Sequence, residues 1–151
     1  MANLKERIQA DLKSAMLARD SLKTVTLQGL KAVILNEEVA KNVRDTGLDD
    51  IRIEQLIARE IKKRDEAAEM YEQGLNQQSA EKERAEKQIL SVYLPDQLGE
   101  SEIQDIVDSV ITELNSEGIK DMGRVIATVK NKTGNKADGA VVAKLVKKRL
   151  Q

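Results

Sequence analysis

The sequence predicts an all-α protein made of two helical units, and three observations lead to that prediction. Apolar residues recur every three to four positions along nearly the whole chain, with little of the alternation typical of strands. Of the 151 residues, 40% are hydrophobic and 34% are charged, a profile of soluble helical proteins. The single proline, Pro95, interrupts the helical pattern and separates an N-terminal unit, residues 1–94, from a C-terminal unit, residues 95–151.

The N-terminal unit is predicted to be a hairpin or bundle of long helices. The first helix should end near Arg19-Asp20, and the second should run to about Ala40. Their inward faces are predicted to carry Leu4, Ile8, Leu12, Ala15, Leu22, Thr26, Leu30 and Val33. Gly29 lies inside the second helix, where glycine costs roughly 1 kcal/mol relative to alanine. We therefore expect Gly29 to pack closely against another helix.

The third predicted helix is the longest, from about 50 to 74, and follows a loop with Asp49 as its N-cap. Its apolar stripe is predicted to include Ile53, Ile57, Ile61, Ala68, Tyr71 and Leu75. Arg64 interrupts this stripe, with Glu60 one turn earlier. This spacing predicts a partly buried ion pair beneath a neighbouring helix. The functional alternative is a polar groove between helices that contains Arg64.

A break at 74–78 ends the third helix, and Ser79 is the expected cap of a fourth. The inward residues of the fourth helix are predicted to be Ala85, Ile89 and Val92. Leu94, which precedes Pro95, should be extended because proline disfavours helix at the residue before it.

The C-terminal unit is predicted to contain three shorter helices. A capping box at Ser101–Gln104 begins the fifth helix, which Gly118 closes. Asp121 should cap the sixth helix, ended by Gly134, and Asp138 should cap the seventh. The predicted inward residues are Ile103, Ile106, Val107, Val110, Ile111, Leu114, Met122, Val125, Ile126, Val129, Val141, Val142, Leu145 and Val146.

Charge is divided into two blocks at the C-terminal end of the chain. Residues 89–119 contain seven acidic residues and no lysine or arginine, whereas residues 120–151 contain nine basic residues and two acidic ones. The net charges of −7 and +7 are hidden within a total of −1. A positive field over one small unit attracts phosphate chains. Alternatively, an acidic helix packs beside basic ones and the charges neutralise each other.

The basic block supplies the candidate RNA-binding residues. On the last helix, Lys144, Lys147 and Lys148 should point away from the apolar face. A loop at 130–136 and two helix ends complete a predicted cradle for phosphates. The candidates are Lys120, Arg124, Lys130, Lys132, Lys136, Lys144, Lys147 and Lys148. A solvated lysine-rich surface is the alternative explanation.

The absence of several residue types excludes several kinds of catalytic and binding site. The chain has no cysteine or histidine, which excludes the usual zinc sites, thiol nucleophiles and Ser-His arrangements. With no Phe or Trp, and only Tyr71 and Tyr93, it lacks base-stacking platforms. Neither GxGxxG nor GxxxxGK[ST] occurs, so no phosphate-binding glycine loop is predicted. We expect no cofactor, no metal and no enzymatic activity.

The location expected from the sequence is the cytoplasm. No apolar run approaches the roughly 18 residues needed to cross a bilayer. The N-terminal residues lack the apolar core of a signal peptide, and the absence of cysteine gives no sign of an oxidising compartment.

Several short motifs occur in a specific order. They are Asn36-Glu37-Glu38-Val39, Ile61-Lys62-Lys63-Arg64, Ile89-Leu90-x-x-Tyr93-Leu94-Pro95-x-Gln97-Leu98, Lys120-Asp121-Met122-Gly123-Arg124-Val125 and Gly134-x-Lys136-Ala137-Asp138-Gly139-x-Val141-Val142. In this order and spacing they resemble the YqeY family over almost the whole chain. Gln28 and Leu35 depart from the family pattern, because basic residues are frequent at those positions. This departure weakens the case for nucleic-acid contacts by the second helix.

The resemblance implies a function as well as a fold. The family is similar to the C-terminal tail of the GatB component of aspartyl/glutamyl-tRNA amidotransferase and to an appendage of some glutaminyl-tRNA synthetases. There the module is a two-part, all-α attachment that contacts the outside of the tRNA fold. Amidotransferase chemistry resides in other domains, so the resemblance implies no ligase activity. It implies tRNA as partner, with a synthetase or amidotransferase as a candidate protein partner.

The sequence therefore predicts a non-catalytic tRNA-binding adaptor. The alternative is a protein-interaction module without direct RNA contact. In that case the acidic fifth helix, with Asp105 and Asp108 outward, or the long third helix would dock a partner.

Overall fold

The computed structural model describes residues 3–151, which form helices and no β-strand. Within this range the α-helices are α1 (Leu4–Leu17), α2 (Ser21–Ala40), α3 (Asp50–Gln73), α4 (Gln77–Ser91), α5 (Glu100–Leu114), α6 (Met122–Thr133) and α7 (Gly139–Leu150). Two 3-10 turns span Ile119–Asp121 and Gly134–Lys136. The predicted all-α class is confirmed. The helices fall into two compact units, one that ends at Leu94 and one that spans Pro95–Gln151.

The first unit encloses an aliphatic core contributed by all four of its helices. Its buried cluster consists of Leu4, Ile8, Leu12, Leu27, Leu30, Ile34, Ile53, Leu56, Ile57, Leu90 and Tyr93. A three-residue connection between α3 and α4 makes these long helices antiparallel neighbours. No described helix is both long and apolar enough to traverse a lipid bilayer.

Three apolar residues predicted to face this core are exposed instead. Tyr71 is 40% exposed, Leu75 is 93% exposed and Val92 is 59% exposed. At the far end of the α3–α4 hairpin the last buried residues are Ala68 and Ala80, so no large side chain is covered there. Helical spacing selects a face, but it does not indicate where the neighbouring helices end.

On α2 the predicted burial is correct for Thr26 and Leu30, and Leu27 and Ile34 complete the buried face. The expectation that Gly29 packs closely against another helix is wrong for the described residues. Gly29 is exposed, and a Cβ placed there would meet no atom within 4 Å. The glycine therefore lies on an open surface of α2.

Two of the predicted N-caps are replaced by residues slightly earlier in the chain. The Asn76 side chain caps α4, since its Oδ1 accepts a hydrogen bond from the Ser79 N–H at 3.2 Å. Helix α5 begins at Glu100, so Ser101 lies inside its first turn. At the N-terminus of α5 the side chain of Glu102 folds back toward the N-cap, and its Oε2 accepts a hydrogen bond from the Gly99 N–H at 2.9 Å.

The predicted boundary between α5 and α6 also changes. Helix α5 ends at Leu114 because Asn115 adopts the left-handed conformation with φ of 53°. Gly118, with φ of 79°, lies beyond that end. Asp121 does not cap α6 through its side chain. Its Oδ2 instead accepts the Glu117 N–H at 2.8 Å, which holds the connecting turn.

Three other predicted helix boundaries are confirmed. Asp49 caps α3 by accepting the Arg52 N–H at 2.8 Å. Asp138 caps α7 by accepting the Ala140 N–H at 2.8 Å. Helix α6 ends immediately before Gly134, whose φ of 54° favours glycine.

A buried carboxylate on α2 joins α1 to the segment that precedes α3. The side chain of Glu38, which is 1% exposed, accepts hydrogen bonds from Lys5 Nζ at 2.8 and 3.0 Å and from the Leu48 N–H at 3.0 Å. Gly47 adopts φ of 79°, and a Cβ there would lie 3.3 Å from Glu38 Oε2. Burial raises the pKa of Glu38, but the hydrogen bonds from Lys5 and Leu48 outweigh burial and hold the pKa below its ordinary value.

We predict that Glu38→Gln lowers the free energy of unfolding by about 2 kcal/mol at neutral pH, because charge-assisted bonds are lost in a buried position. Because folding lowers the pKa of Glu38, its stabilisation is fully present above the unfolded-state pKa of about 4.3. It is lost as the pH falls through the folded-state value. The difference between wild type and variant, measured by urea denaturation, should therefore shrink on acidification.

The matched control is Asp65→Asn, which removes a solvent-accessible ion pair with Lys87 and should change stability by less than about 0.5 kcal/mol. An equal loss for both variants, or a loss for Glu38→Gln that persists in acid, would contradict the assigned role of the Glu38 carboxylate.

Arg64 forms the partly buried ion pair that the sequence predicts. Arg64 Nη1 lies 3.5 Å from Glu60 Oε1, and Arg64 Nε lies 3.4 Å from Glu86 Oε2 on α4. Glu60 also pairs with Lys63 at 3.1 Å. Arg64 therefore neutralises two carboxylates between α3 and α4.

We predict that Arg64→Met lowers stability by about 2 kcal/mol and leaves RNA affinity unchanged, because it removes the arginine that pairs with Glu86 and leaves Glu60 with Lys63 alone. Thermal unfolding and RNA titration measure the two effects. Arg84→Met, which breaks an exposed pair with Glu72, is the control and should alter stability by less than about 0.5 kcal/mol. An unchanged melting temperature with a large loss of RNA binding would instead place Arg64 in a functional surface.

We predict that limited proteolysis cuts near 94–101 before it cuts within α5, α6 or α7. Residues 95–99 are not helical, and exposed non-helical backbone is the preferred substrate of proteases. Mass spectrometry of early fragments gives the cut positions. Protection of this segment together with early cuts inside α3 would contradict a joint at Leu94-Pro95.

Candidate nucleic-acid interface

The core of the second unit determines which basic residues can face a ligand. Its buried cluster consists of Ile103, Val107, Val110, Val125, Val129, Val142, Leu145, Val146 and Leu150. These residues come from α5, α6 and α7, so each helix keeps its opposite face toward solvent. All eight predicted RNA-binding residues are exposed.

Helix α7 presents a stripe of three lysines. Val142 and Leu145 are buried, whereas Lys144, Lys147 and Lys148 are exposed. Lys147 and Lys148 follow Lys144 by three and four residues, so both lie about one helical turn, roughly 5.4 Å, from it along the axis. The arrangement gives a row of ammonium groups on a rigid support.

The predicted loop at 130–136 is more ordered than expected. Helix α6 continues to Thr133, and Gly134–Lys136 forms a 3-10 turn. The Leu98 N–H donates a hydrogen bond to the Lys136 carbonyl oxygen at 2.8 Å. The basic residues of this segment are therefore held by helical backbone and not by a flexible loop.

Lys130 lies across the start of α7. A Cβ at Gly139 would be 3.3 Å from Lys130 Cε and 3.4 Å from its Nζ, so the glycine leaves room for this side chain. The first N–H groups of a helix carry partial positive charge. The Lys130 ammonium adds a full charge beside them, although Asp138, the N-cap, is also close in the chain.

Two residues of the basic block are neutralised by the acidic helix. Lys132 Nζ lies 2.7 Å from Glu113 Oε2, and Arg149 Nε lies 2.9 Å from Asp108 Oδ1. Both carboxylates are on α5. For these two pairs, the structure shows the alternative in which an acidic helix neutralises basic ones.

A third basic residue, Arg124, is also engaged within the unit. Its Nη2 lies 3.5 Å from Asp121 Oδ1 and donates to the Leu114 carbonyl oxygen at 3.2 Å. The guanidinium therefore ties α6 to the end of α5. This contact gives Arg124 a structural role in addition to its exposure.

The remaining six candidates have no carboxylate within 4.0 Å among residues 3–151. They are Lys120, Lys130, Lys136, Lys144, Lys147 and Lys148. The structure thus divides the eight predicted residues into six exposed lysines without an ion pair and two, Arg124 and Lys132, that are paired. The Asp121–Arg124 pair has the i,i+3 spacing that a helical sequence can indicate, whereas the Glu113–Lys132 pair joins residues 19 apart and has no local sequence signal.

The two tyrosines do not form a base-stacking surface. Tyr93 is 3% exposed and its hydroxyl donates to Asp11 Oδ2 at 2.6 Å. Burial, reinforced by Asp11, raises the pKa of Tyr93 well above its usual range. Arg7 lies over the Tyr93 ring at 5.0 Å. Tyr71 is partly exposed but lies on α3, in the other unit.

No group of three or more acidic residues that could hold a metal ion occurs in the described part of the chain. The exposed lysines of the second unit supply ammonium groups beside helix termini. Such groups bind anions without reading a base sequence.

Curated relatives are similar over much of the chain. The mitochondrial "altered inheritance of mitochondria protein 41" of Pyrenophora tritici-repentis is 30% identical over 152 residues, which cover 96% of this chain and 77% of that protein. The proteins of the same name from Lachancea thermotolerans and Eremothecium gossypii are 34% and 31% identical. Those two matches cover 76% and 62% of this chain, but only 59% and 48% of the relatives.

The family of Yqey-like proteins matches residues 5–150. The matched range includes all seven helices of the described chain, apart from Leu4 at the start of α1, and all eight candidate basic residues. With nearly the whole chain matched, this protein belongs to the YqeY family.

Proposed function

We propose that this protein is a non-catalytic adaptor that binds tRNA through phosphate contacts of its C-terminal unit. The observation that supports this function is the set of six exposed lysines that have no ion pair in the described structure. An ammonium group without an ion pair can bind a phosphate of a ligand. When it does, the counterions condensed on that phosphate are released, which favours binding. Membership of the YqeY family, which resembles tRNA-binding tails, agrees with this proposal.

The proposed recognition relies on charge and shape. Lysines that contact phosphates carry no base code, and the second unit has no aromatic residue on which bases could stack. Discrimination of folded tRNA from other RNA must then come from the spacing of phosphates on a rigid surface. The stripe on α7 and Lys130 at the start of that helix provide such a surface.

The carboxylates that could have served an enzyme have structural partners. Glu37-Glu38 and Asp49-Asp50 are the two adjacent acidic pairs flanking the loop before α3. Glu37 pairs with the Arg52 side chain, and Glu38 accepts hydrogen bonds from Lys5 and the Leu48 N–H. Asp49 accepts the Arg52 N–H, and Asp50 accepts the Leu4 N–H. The pKa of Glu37 is lowered by the hydrogen bond from Arg52, so this carboxylate stays charged and paired. These engagements support an adaptor without catalysis.

The adaptor proposal includes a partner and a location. A tRNA-bearing enzyme, either an aminoacyl-tRNA synthetase or an amidotransferase, is the proposed protein partner, and the cytoplasm is the proposed compartment. The names of the curated relatives describe mitochondrial proteins.

We predict that Lys144→Glu with Lys147→Glu weakens tRNA binding and leaves the fold intact, because both side chains are exposed. The slope of log K against log salt is negative, and each lost phosphate contact should reduce its magnitude by roughly 0.7 to 0.9. The loss of two contacts should therefore reduce the slope by about 1.5, by a similar amount for different tRNAs. Titration of labelled tRNA at several salt concentrations measures the slope, and circular dichroism checks folding.

The matched control is Lys62→Glu with Lys82→Glu, which applies the same charge change to exposed positions on α3 and α4. This control should retain the affinity and salt slope of the parent. If the α7 variant is folded and also binds like the parent, the stripe is only a solvated surface. A protein-interaction module would then become the better proposal.

A further inference from the structure

A groove between α1 and α2 has a volume of about 650 Å³ and a largely apolar surface. Ile8, Ala10, Ala32, Ile34 and Leu35 form its apolar part. Leu35 is 43% exposed, so this part is open to solvent. The groove lies wholly within the first unit and includes none of the basic residues assigned to RNA.

An exposed apolar stripe on α2 continues this groove. Val25 is 62% exposed and Val39 is 58% exposed, and both lie on the face opposite the buried residues. Gly29 and Ala32 lie between them, and a Cβ at Gly29 would meet no atom within 4 Å. The helical rise from Val25 to Val39 is about 21 Å, or roughly four turns. The stripe is therefore long and narrow, with small residues at its centre.

The charged residues that line the groove carry a net charge of +1, from Lys5, Lys13 and Lys31 against Glu6 and Glu38. Glu6 accepts the Asn3 N–H at the start of α1, and Glu38 is buried against Lys5. In contrast, Lys13 and Lys31 line the groove, are exposed and have no carboxylate within 4.0 Å in residues 3–151. A ligand would therefore meet an apolar floor beside two ammonium groups that have no ion pair and one exposed carboxylate, that of Glu6.

We propose that this face of α1 and α2 binds an acidic amphipathic helix of a partner protein. A helix of four turns matches the length of the stripe, and its apolar face would cover Val25, Leu35 and Val39. Gly29 and Ala32 allow close approach of the two helix backbones. Acidic residues on the edge of the docked helix would pair with Lys13 and Lys31.

Other occupants fit these observations less well. A small amphiphile would leave most of a stripe about 21 Å long uncovered. A second copy of this chain would bring together two grooves that each carry a net positive charge, and like charges disfavour that contact. RNA offers no extended apolar face for the valines and the leucine. The inference does not depend on RNA binding by the second unit.

The test uses two synthetic peptides of about 20 residues, long enough for a helix that covers the stripe. Both carry the same leucine and alanine face, with glutamate on the polar face of one and lysine on that of the other. Fluorescence anisotropy with the full chain should show binding of the acidic peptide with Kd below about 100 μM, and at least about tenfold weaker binding of the basic peptide.

Two kinds of variant separate charge from shape. Lys13→Glu with Lys31→Glu should weaken binding of the acidic peptide about tenfold, through lost attraction and new repulsion. Ala32→Arg adds positive charge but fills the apolar centre, so it should also weaken binding if the helix lies in the groove. The control with Lys62→Glu and Lys82→Glu should bind like the parent. All these positions are exposed, and circular dichroism verifies that each variant folds.

Several results would overturn the proposal. Equal affinity for the two peptides, failure of the acidic peptide to bind below about 100 μM, or tighter binding by Ala32→Arg would exclude an acidic helix seated in the groove. Displacement of the peptide by dodecanoate at low concentration would indicate a small amphiphile. A dimer in sedimentation that Ala32→Arg abolishes would indicate a second copy, and loss of tRNA affinity in the Lys13/Lys31 variant would indicate an RNA surface.

Discussion

The hydrogen-bonded carboxylate of Glu38 is the interaction on which the first unit depends. It lies in the interior, where a charge is tolerated only with several donors, and it has Lys5 from α1 and the Leu48 N–H from the segment before α3. The left-handed backbone of Gly47 lets that segment approach the carboxylate. One residue of α2 thereby sets the position of α1 and the entry of α3. The apolar groove between α1 and α2 exists because this spacing is held.

The second unit is organised by the division of its charges. Its aliphatic core fills the space between three short helices, so nearly all charged groups remain on the surface. Helix α5 neutralises Lys132 and Arg149, and Arg124 is used to join α6 to the end of α5. The exposed lysines that remain are Lys120 before α6 and five on α7 or near its start, and none has a carboxylate within 4.0 Å among residues 3–151. A nearly neutral protein thus keeps a local excess of positive charge.

The two proposed surfaces differ in chemistry. The lysine stripe of α7 presents three exposed ammonium groups and suits a hydrated polyanion whose phosphates bind single ammonium groups. The groove of α1 and α2 combines apolar area with only two unneutralised lysines, Lys13 and Lys31, among the described residues, and suits a folded partner that can bury side chains. With these two surfaces, the proposed adaptor would bind an RNA and a protein at different places.

The sequence alone determined the helical class, most of the inward faces and caps such as Asp49 and Asp138, since these depend on contacts within one or two helical turns. It also indicated the basic block. Tertiary structure decided which apolar residues are buried. Leu75, for example, is exposed because no helix packs against it. It likewise decided that Lys132 is paired whereas Lys144 is not, since an ion pair requires a carboxylate brought near by folding. Periodicity is a local property of the chain, whereas burial and charge neutralisation depend on residues distant in sequence.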